Sequence, residues 1–357
     1  MSGNKQVINA LENGTFTKII CGAANTNEKH VERLALVYAL SGADVIDISP
    51  SNAILQAAQS GIKKASELYN KNPEDFPDFK EPLIMLSLNC GDDLHFRKAE
   101  INPDKCINCF NCINSCPANA IYISRHCELS EAIHQLSSEN WIATSHPKDA
   151  PRNDNIVQIK KENCYGCGRC INACLLQAID FVNLNNSLTE IDVNMVKGIE
   201  VHTGRSSIKD LSRFLKLNEA FFKNIEVLSF SVESKRFNYT ELQNYVSSII
   251  KLIPQKIIIQ IDGIPMGATD EPNSSLQTLS SAGTLLEKNI NAYIQLSGGT
   301  NHFTKSLVRQ LGLKISGIGY GTFARKIILS YLEEVDDLKF MSQLLKIVNI
   351  TTSLVKS

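Results

Sequence analysis

The chain has little that would carry it to a membrane or to nucleic acid. No apolar run among its 357 residues approaches the roughly 20 that cross a bilayer as a helix, so no membrane span is expected. Charge of neither sign is in excess: Lys+Arg 36 stand against Asp+Glu 37, a formal net charge of −1. No basic stripe gathers the positive charge, which disfavours nucleic acid as a partner. No secretory leader is read at its start, so reduced thiols are expected rather than a disulfide framework. A complete catalytic constellation is also missing. The hydrophobic fraction of 43% is enough for a sizeable core, and the length favours two structural units over one.

Cysteine is what the chain does have. Two runs dominate: Cys106-Ile-Asn-Cys109-Phe-Asn-Cys112-Ile-Asn-Ser-Cys116-Pro117 and Cys164-Tyr-Gly-Cys167-Gly-Arg-Cys170-Ile-Asn-Ala-Cys174. Both read C-x2-C-x2-C-x3-C, the spacing with which bacterial ferredoxins hold cubane iron–sulfur clusters. A four-iron cube needs one thiolate per iron. Two-residue gaps wrap a tight loop round three corners, and the fourth cysteine faces away and ligates the other cluster. On that logic Cys106, Cys109, Cys112 and Cys174 hold one [4Fe-4S] cluster, and Cys164, Cys167, Cys170 and Cys116 hold a second. Such a pair should fold only with metal bound. Zinc is the competing reading, because C-x2-C pairs also make zinc knuckles. A zinc site has no use for a third cysteine two residues on and a fourth three further, so clusters are favoured.

An internal repeat supports this. The stretch from Ile101 through Cys106 to Ile123 parallels the stretch from Ile159 through Cys164 to Phe181. Each half reads strand, cysteine loop, short helix, Ala-Ile, strand, the duplicated half of a ferredoxin-like module. Pro117 follows Cys116, whereas Leu175 follows Cys174, a departure that loosens the second turn without removing a ligand. The link between the halves holds His126, Cys127, His134, the single tryptophan Trp141 and a polar stretch from Ser145 to Asn155. It reads as an excursion, partly helical around Leu129 to Leu136.

Outside that segment, short apolar runs alternate with helical stretches. The runs are Thr17–Cys21, Asp44–Ser49, Leu83–Leu88, Ile199–Thr203, Ile225–Val232, Lys256–Ile261, Ala292–Leu296 and Lys314–Ile318. Their apolar character suits strands of a parallel sheet buried on both faces. Helices are predicted over His30–Leu40, Ala53–Tyr69, Ile208–Phe222 and Glu241–Leu252, the first capped by Asn25 or Thr26 and stopped at Gly42. Eight such units in order predict an α/β fold, a (β/α)8-like barrel over residues 1–98 and 187–357. The ferredoxin-like two-[4Fe-4S] module, residues 99–186, is then an insertion after the third strand. It emerges at the face where barrel chemistry gathers. An open doubly wound α/β sheet with the same insertion is the alternative.

Strand ends in such a barrel are where function is sought. They carry Cys21, Asp47, Cys90 with Asp92, His202, Glu233, Asp262, and the loop Ser297-Gly298-Gly299, followed by Gly317-Ile-Gly319-Tyr-Gly321-Thr322. Ser297, Gly298, Gly299, Gly319 and Gly321 are a candidate phosphate site, for flavin mononucleotide (FMN) or a phosphorylated substrate. Glycines also simply end strands and turn tightly, which is the competing account. Cys21, Cys90 and Cys127 could ligate a further metal, but isolated cysteines are more often small buried hydrophobes. The carboxylates could be acid–base groups or helix caps, and His202 is equally open. Glu333–Val355 reads as an amphipathic helix covering the core, with Leu338, Met341, Leu344, Leu345 and Val348 on one side.

Beyond these patterns, Leu11-Glu-Asn-Gly-Thr-Phe-Thr-Lys-Ile-Ile-Cys-Gly-Ala23, Ser41-Gly-Ala-Asp-Val-Ile-Asp47, the paired cysteine motifs and Gly319-Tyr-Gly-Thr-Phe-Ala-Arg325 resemble the light-dependent-period family of cyanobacteria, with relatives in algal plastids. The resemblance runs along most of the chain. It implies an iron–sulfur protein in redox-dependent light input to the circadian clock, one that reports redox state rather than turning over a known substrate. The eight motif cysteines match the family's cluster ligands position by position. The functional expectation is therefore a redox sensor or electron-transfer protein with a redox partner or regulatory protein. The alternative is an iron–sulfur (flavo)oxidoreductase with its active site at the barrel's open face. Abundant asparagine and isoleucine suit an A+T-rich genome such as an organelle's. The expected compartment is the cytoplasm, or the plastid stroma if the protein is organelle-encoded.

Overall fold

The computed structural model describes residues 3–91, 93, 95–125, 155–184, 191, 195–263, 270–333 and 340–356. Twelve strands are present among them: β1 (Phe16–Ile20), β2 (Val45–Ile48), β3 (Leu83–Asn89), β4 (Arg97–Ile101), β5 (Ile121–Arg125), β6 (Asn155–Ile159), β7 (Ile179–Asn183), β8 (Gly198–His202), β9 (Val227–Glu233), β10 (Ile258–Asp262), β11 (Tyr293–Ser297) and β12 (Gly317–Tyr320). β1–β3 and β8–β12 form a closed barrel in the order β1-β12-β11-β10-β9-β8-β3-β2. The closing pair is parallel, with Phe16 opposite Gly317, and this rules out the open doubly wound sheet.

Each of the eight predicted runs falls on a barrel strand. The last is displaced: β12 starts at Gly317, so Gly319 lies within a strand and not in a loop. The reason is space inside the barrel. A Cβ on Gly319 would lie 2.6 Å from Gln295 Nε2, and one on Gly317 would lie 2.4 Å from the Phe16 carbonyl oxygen. Glycine here permits close approach of neighbouring backbones.

Two apolar cores hold the barrel. The larger lies between the outer strand faces and the helices. It takes Val31, Leu34 and Tyr38 from the helix Glu28–Leu40, Ile54 and Ala58 from the helix Asn52–Lys71, and Leu344 and Val348 from the helix Phe340–Lys356. The last helix covers the core as expected, although residues 334–339, including Leu338, fall outside the described set. The N-cap of Glu28–Leu40 is Asn27, whose side chain accepts from the His30 N–H. Asn25 instead donates to the Cys21 carbonyl at 3.0 Å, which anchors the loop and leaves the cap to Asn27. The helix expected over 208–222 is interrupted at Asn218 into Ile208–Leu217 and Glu219–Phe222.

The second core is the barrel floor. Val7, Ala10 and Leu11 of the helix Gly3–Glu12 pack against the inward residues Phe16, Val45, Leu83, Met85, Val227, Ile258 and Tyr293. Above that floor the inward positions turn polar.

Between β3 and β8 the chain leaves the barrel. β4 pairs antiparallel with β7, and β5 with β6, as two separate two-stranded sheets around their own small core. The expected boundary at 98/99 falls inside β4. His126, Cys127, His134, Trp141 and the expected helix over 129–136 lie outside the described residues. No helix among the described residues is long and apolar enough to cross a membrane.

Candidate functional site

The two cysteine loops are built alike. Each ends in a five-residue helix, Asn111–Ser115 or Arg169–Ala173, with the third cysteine of its run near the start. Positive φ recurs at matched places: Asn108 with Gly166, Phe110 with Gly168, and Asn119 with Gln177. Four of these six are not glycine, so a backbone form unfavourable to side chains is held in both halves. The fourth cysteines also match. Cys116 Sγ accepts from the Ala120 N–H at 3.3 Å and Cys174 Sγ from the Ala178 N–H at 3.2 Å. Backbone donors aimed at sulfur are what an anionic thiolate or cluster requires.

Across the halves the cysteines gather crosswise. Cys106, Cys109, Cys112 and Cys174 line one cavity. Cys116, Cys164, Cys167 and Cys170 line another. All eight are free thiols. Burial lifts the Cys112 and Cys167 thiols above their ordinary range and pushes Cys170 up to about 12, so a bare thiolate is disfavoured at each and a cation would favour its deprotonation. Four soft donors per cavity suit iron–sulfur chemistry. The first cavity opens to the surface beside exposed Cys109, Ile107, Leu175 and Leu176. The second shares Tyr165 and Cys167 with a cavity in the barrel mouth.

The module is pinned to the barrel rim near that second cavity. The Arg325 guanidinium lies 4.0 Å above the Tyr165 ring, donates to the Ile20 carbonyl at 2.6 Å and to Thr322 Oγ1 at 2.9 Å. Lys98 Nζ donates to Thr26 Oγ1 at 2.9 Å, and Asn27 Nδ2 to Asn163 Oδ1 at 2.5 Å. As a result Tyr165 and Cys167 form part of the wall of a cavity of about 90 Å³ in the barrel mouth.

Glu200, His202, Gln260 and Asp262 also line that cavity, and they belong to a polar network that fills the barrel interior beneath. Lys18 and Glu200, both fully buried, form an ion pair in the barrel interior. Glu200 Oε1 accepts from Gln260 Nε2 at 2.8 Å and lies 3.1 Å from His202 Nε2. Gln260 also donates to Asp262 Oδ1 at 3.0 Å and accepts from Gln295 Nε2 at 2.5 Å. Ser87 Oγ donates to Asp47 Oδ1 at 2.8 Å and sits 3.2 Å from His202 Nε2. Burial, helped by the Glu200 charge, raises the Asp47 carboxyl, and burial lifts Asp262 to about 6. Burial opposes a charged His202, but Asp93 and Glu200 outweigh it and raise the imidazole to about 9. Glu200 stays below the ordinary carboxylate range because Lys18 and His202 overcome its burial.

Of the predicted strand-end residues, His202, Asp262, Ser297, Gly298, Gly299 and Gly321 do reach this cavity. Gly319 does not; its carbonyl accepts from Thr300 Oγ1 at 2.6 Å, and it is Thr300 that lines the cavity. The cavity is smaller than the roughly 300–1,000 Å³ usual for ligands of drug size. Cys21 and Cys90 do not meet there. Cys21 is buried in the outer core, its thiol pushed to about 12 by desolvation, and Cys90 is half-buried. Glu233 lies off the cavity wall, and Asp92 falls outside the described residues. Sequence reasoning missed Lys18, Glu200, Gln260, Gln295, Asp93, His95, Tyr165 and Arg325.

Residues 190–356 match the family described as the light dependent period A C-terminal domain, and residues 105–178 match the 4Fe-4S dicluster domain. A curated relative, Light dependent period A of Synechococcus elongatus, is 27% identical over 345 residues, covering 91% of this chain and 84% of the relative. Along its C-terminal half, and at lower identity over most of its length, the chain is similar to the light dependent period A family. Its dicluster domain makes it an iron–sulfur protein. Strands β8–β12, with Glu200, His202, Gln260, Asp262 and Arg325, lie within the light dependent period A C-terminal domain, so the barrel mouth is part of what the family model matches. Solved structures give weaker likenesses. A provisionally assigned fructose-1,6-biphosphate aldolase from Coccidioides immitis has a TM-score of 0.43 at 11% identity, over 99% of this chain and 93% of that one. A tryptophan synthase α-subunit from Pyrococcus furiosus has a TM-score of 0.38 at 11% identity, over 94% and 96%. Neither informs the function of this chain.

Proposed function

We propose that the chain holds two [4Fe-4S] clusters, one on Cys106, Cys109, Cys112 and Cys174 and the other on Cys116, Cys164, Cys167 and Cys170. It acts as a redox sensor or electron-transfer protein in light- or redox-dependent regulation, the setting that the name of its Synechococcus relative suggests. The crosswise gathering of four cysteines in each of two cavities carries this reading. The cluster beside exposed Cys109 would exchange electrons with a redox partner at the surface. The cluster on Cys167 lies against the barrel, where each electron gained adds one negative charge next to Tyr165 and the Arg325 guanidinium stacked on it. A charge change at a cation-pinned joint is a direct way to alter how module and barrel engage a regulatory protein.

Anaerobic purification should give a brown protein with about eight irons per chain. Hydrogen exchange around residues 164–168 and 320–326 should then differ between dithionite-reduced and air-oxidised protein. Zinc in place of iron would sink the cluster assignment, and identical exchange in the two states would leave an electron carrier without a sensor.

A second reading rests on one specific observation. Cys167 shares a cavity with Glu200, His202 and Asp262, as an oxidoreductase fed by a cluster would require. A yellow chromophore released on denaturation would favour that reading and the candidate FMN site at Ser297, Gly298, Gly299, Gly319 and Gly321.

A further inference from the structure

Asp93 and His95 belong to the segment between β3 and β4, and His202 ends β8. The register that places Asn89 opposite His202 brings the three together at the barrel mouth, their ligand atoms all within 4.8 Å of one another. His202 is wedged in place, its ring meeting Phe96 edge-on at 5.1 Å. Its Nε2 faces Glu200 Oε1 at 3.1 Å and Ser87 Oγ at 3.2 Å. A carboxylate can only accept, so Nε2 carries the proton that faces Glu200, and Nδ1 offers a lone pair whenever the ring is neutral. That Nδ1 is buried, on a side chain 5% exposed, and has no hydrogen-bond partner. Facing it at 3.5 Å is Asp93 Oδ2, another acceptor on a side chain 8% exposed. In the neutral ring two buried acceptors face one another, and either a proton or a metal cation must lie between them.

We propose that Asp93, His95 and His202 bind one divalent transition-metal ion of the zinc class, at a site separate from the cysteine clusters. Two imidazoles and one carboxylate are a donor set that such ions accept, with the open side of the cavity leaving a coordination position free. The Glu200–His202 contact supplies the carboxylate behind a metal-bound histidine that fixes its tautomer. His95, with its side chain 35% exposed and its Nδ1 2.6 Å from Asp93 Oδ1, has the freedom to swing onto the ion. The competing occupant is a proton, which would make His202 an imidazolium paired with Asp93. The proposal goes beyond the redox reading and does not depend on it.

The test uses the full chain with its iron retained and counted. Zinc ions alone are titrated into it anaerobically by calorimetry, and zinc-edge X-ray absorption is then recorded. The expected result is one zinc per chain with a nitrogen and oxygen shell, at unchanged iron content. Asp93→Asn and His95→Gln, the latter at a partly exposed position, should each weaken zinc binding at least ~10-fold while keeping the iron. Absence of zinc binding by the iron-replete protein, sulfur in the zinc shell, or both variants binding as the parent does would each overturn the proposal. A colourless, iron-free preparation would instead defeat the cluster assignment and leave the zinc titration to be read through the same two variants.

Discussion

Lys18→Met removes one half of an ion pair that is fully hidden from solvent at both ends. Glu200 would keep its hydrogen bond from Gln260 Nε2 at 2.8 Å and its contact with His202 at 3.1 Å. It would lose its closest countercharge, and stranding one charge of a buried pair costs about 3–5 kcal/mol. With a denaturant slope of about 3 kcal/mol per molar urea, that is a midpoint lowered by roughly 1–1.7 M. Burial would then dominate the Glu200 carboxyl and lift it above its unfolded value. A group raised in the folded state adds stability below its unfolded pKa of about 4.3 and loses it as pH climbs through the folded value. The deficit of the variant should therefore be greatest near neutrality and shrink on acidification. Pairing Lys18→Met with Glu200→Gln should recover much of the loss, because no charge is left stranded. The assay is anaerobic urea unfolding by far-ultraviolet circular dichroism, with cluster absorbance followed in parallel to separate barrel melting from cluster loss. A penalty under about 1 kcal/mol at neutral pH, or a double variant no better than the single, would refute the reasoning.

Other consequences are open to the same kind of check. Cys112→Ser should lose the cluster of its own cavity and, through the shared core of the module, loosen the other, so iron should fall by half or more; an unaltered iron count would disprove the ligand set. Arg325→Ala deletes the stacking on Tyr165 and the bonds to Ile20 and Thr322, and limited proteolysis should cut the module–barrel joint faster while barrel circular dichroism stays the same. Asp262, lifted to about 6 by burial, contributes stability in its neutral form that is fully present below its unfolded pKa of about 3.9 and lost as pH rises through about 6. Melting of Asp262→Asn compared with the parent across pH 4–7 should show the variant gaining as pH rises, and parallel curves would contradict the burial argument.

The strands were legible because a strand sandwiched between a barrel interior and a helix layer must be apolar over most of its length, and those runs stand out between helical stretches. The contents of the barrel were legible too, but went unread. Reading the runs as continuous passed over the single polar residue at the heart of several: Lys18 between Thr17 and Ile19, Glu200 between Ile199 and Val201, Gln260 between Ile259 and Ile261, Gln295 between Ile294 and Leu296. Inward and outward positions alternate along each strand, so one isolated polar side chain set among apolar neighbours marks the inner face. That signal was present in the sequence. The cysteine loops were readable because their spacing is a local property of one tight turn. Asp93 and His95 were not, since only the pairing of β3 with β8 brings them to His202, and Arg325 meets Tyr165 from far along the sequence.

One last feature concerns doorways. β4 and β7 are partners throughout, from Arg97 opposite Asn183 to Ile101 opposite Ile179. The excursion thus departs and comes home through a single threshold, its two legs side by side. Nothing in the barrel wall has to spread to accommodate whatever hangs beyond that threshold. A lineage could lengthen, shorten or discard the appended part, or a protein engineer could snip it at the doorstep and splice in a brief turn, while leaving the host architecture to close as before.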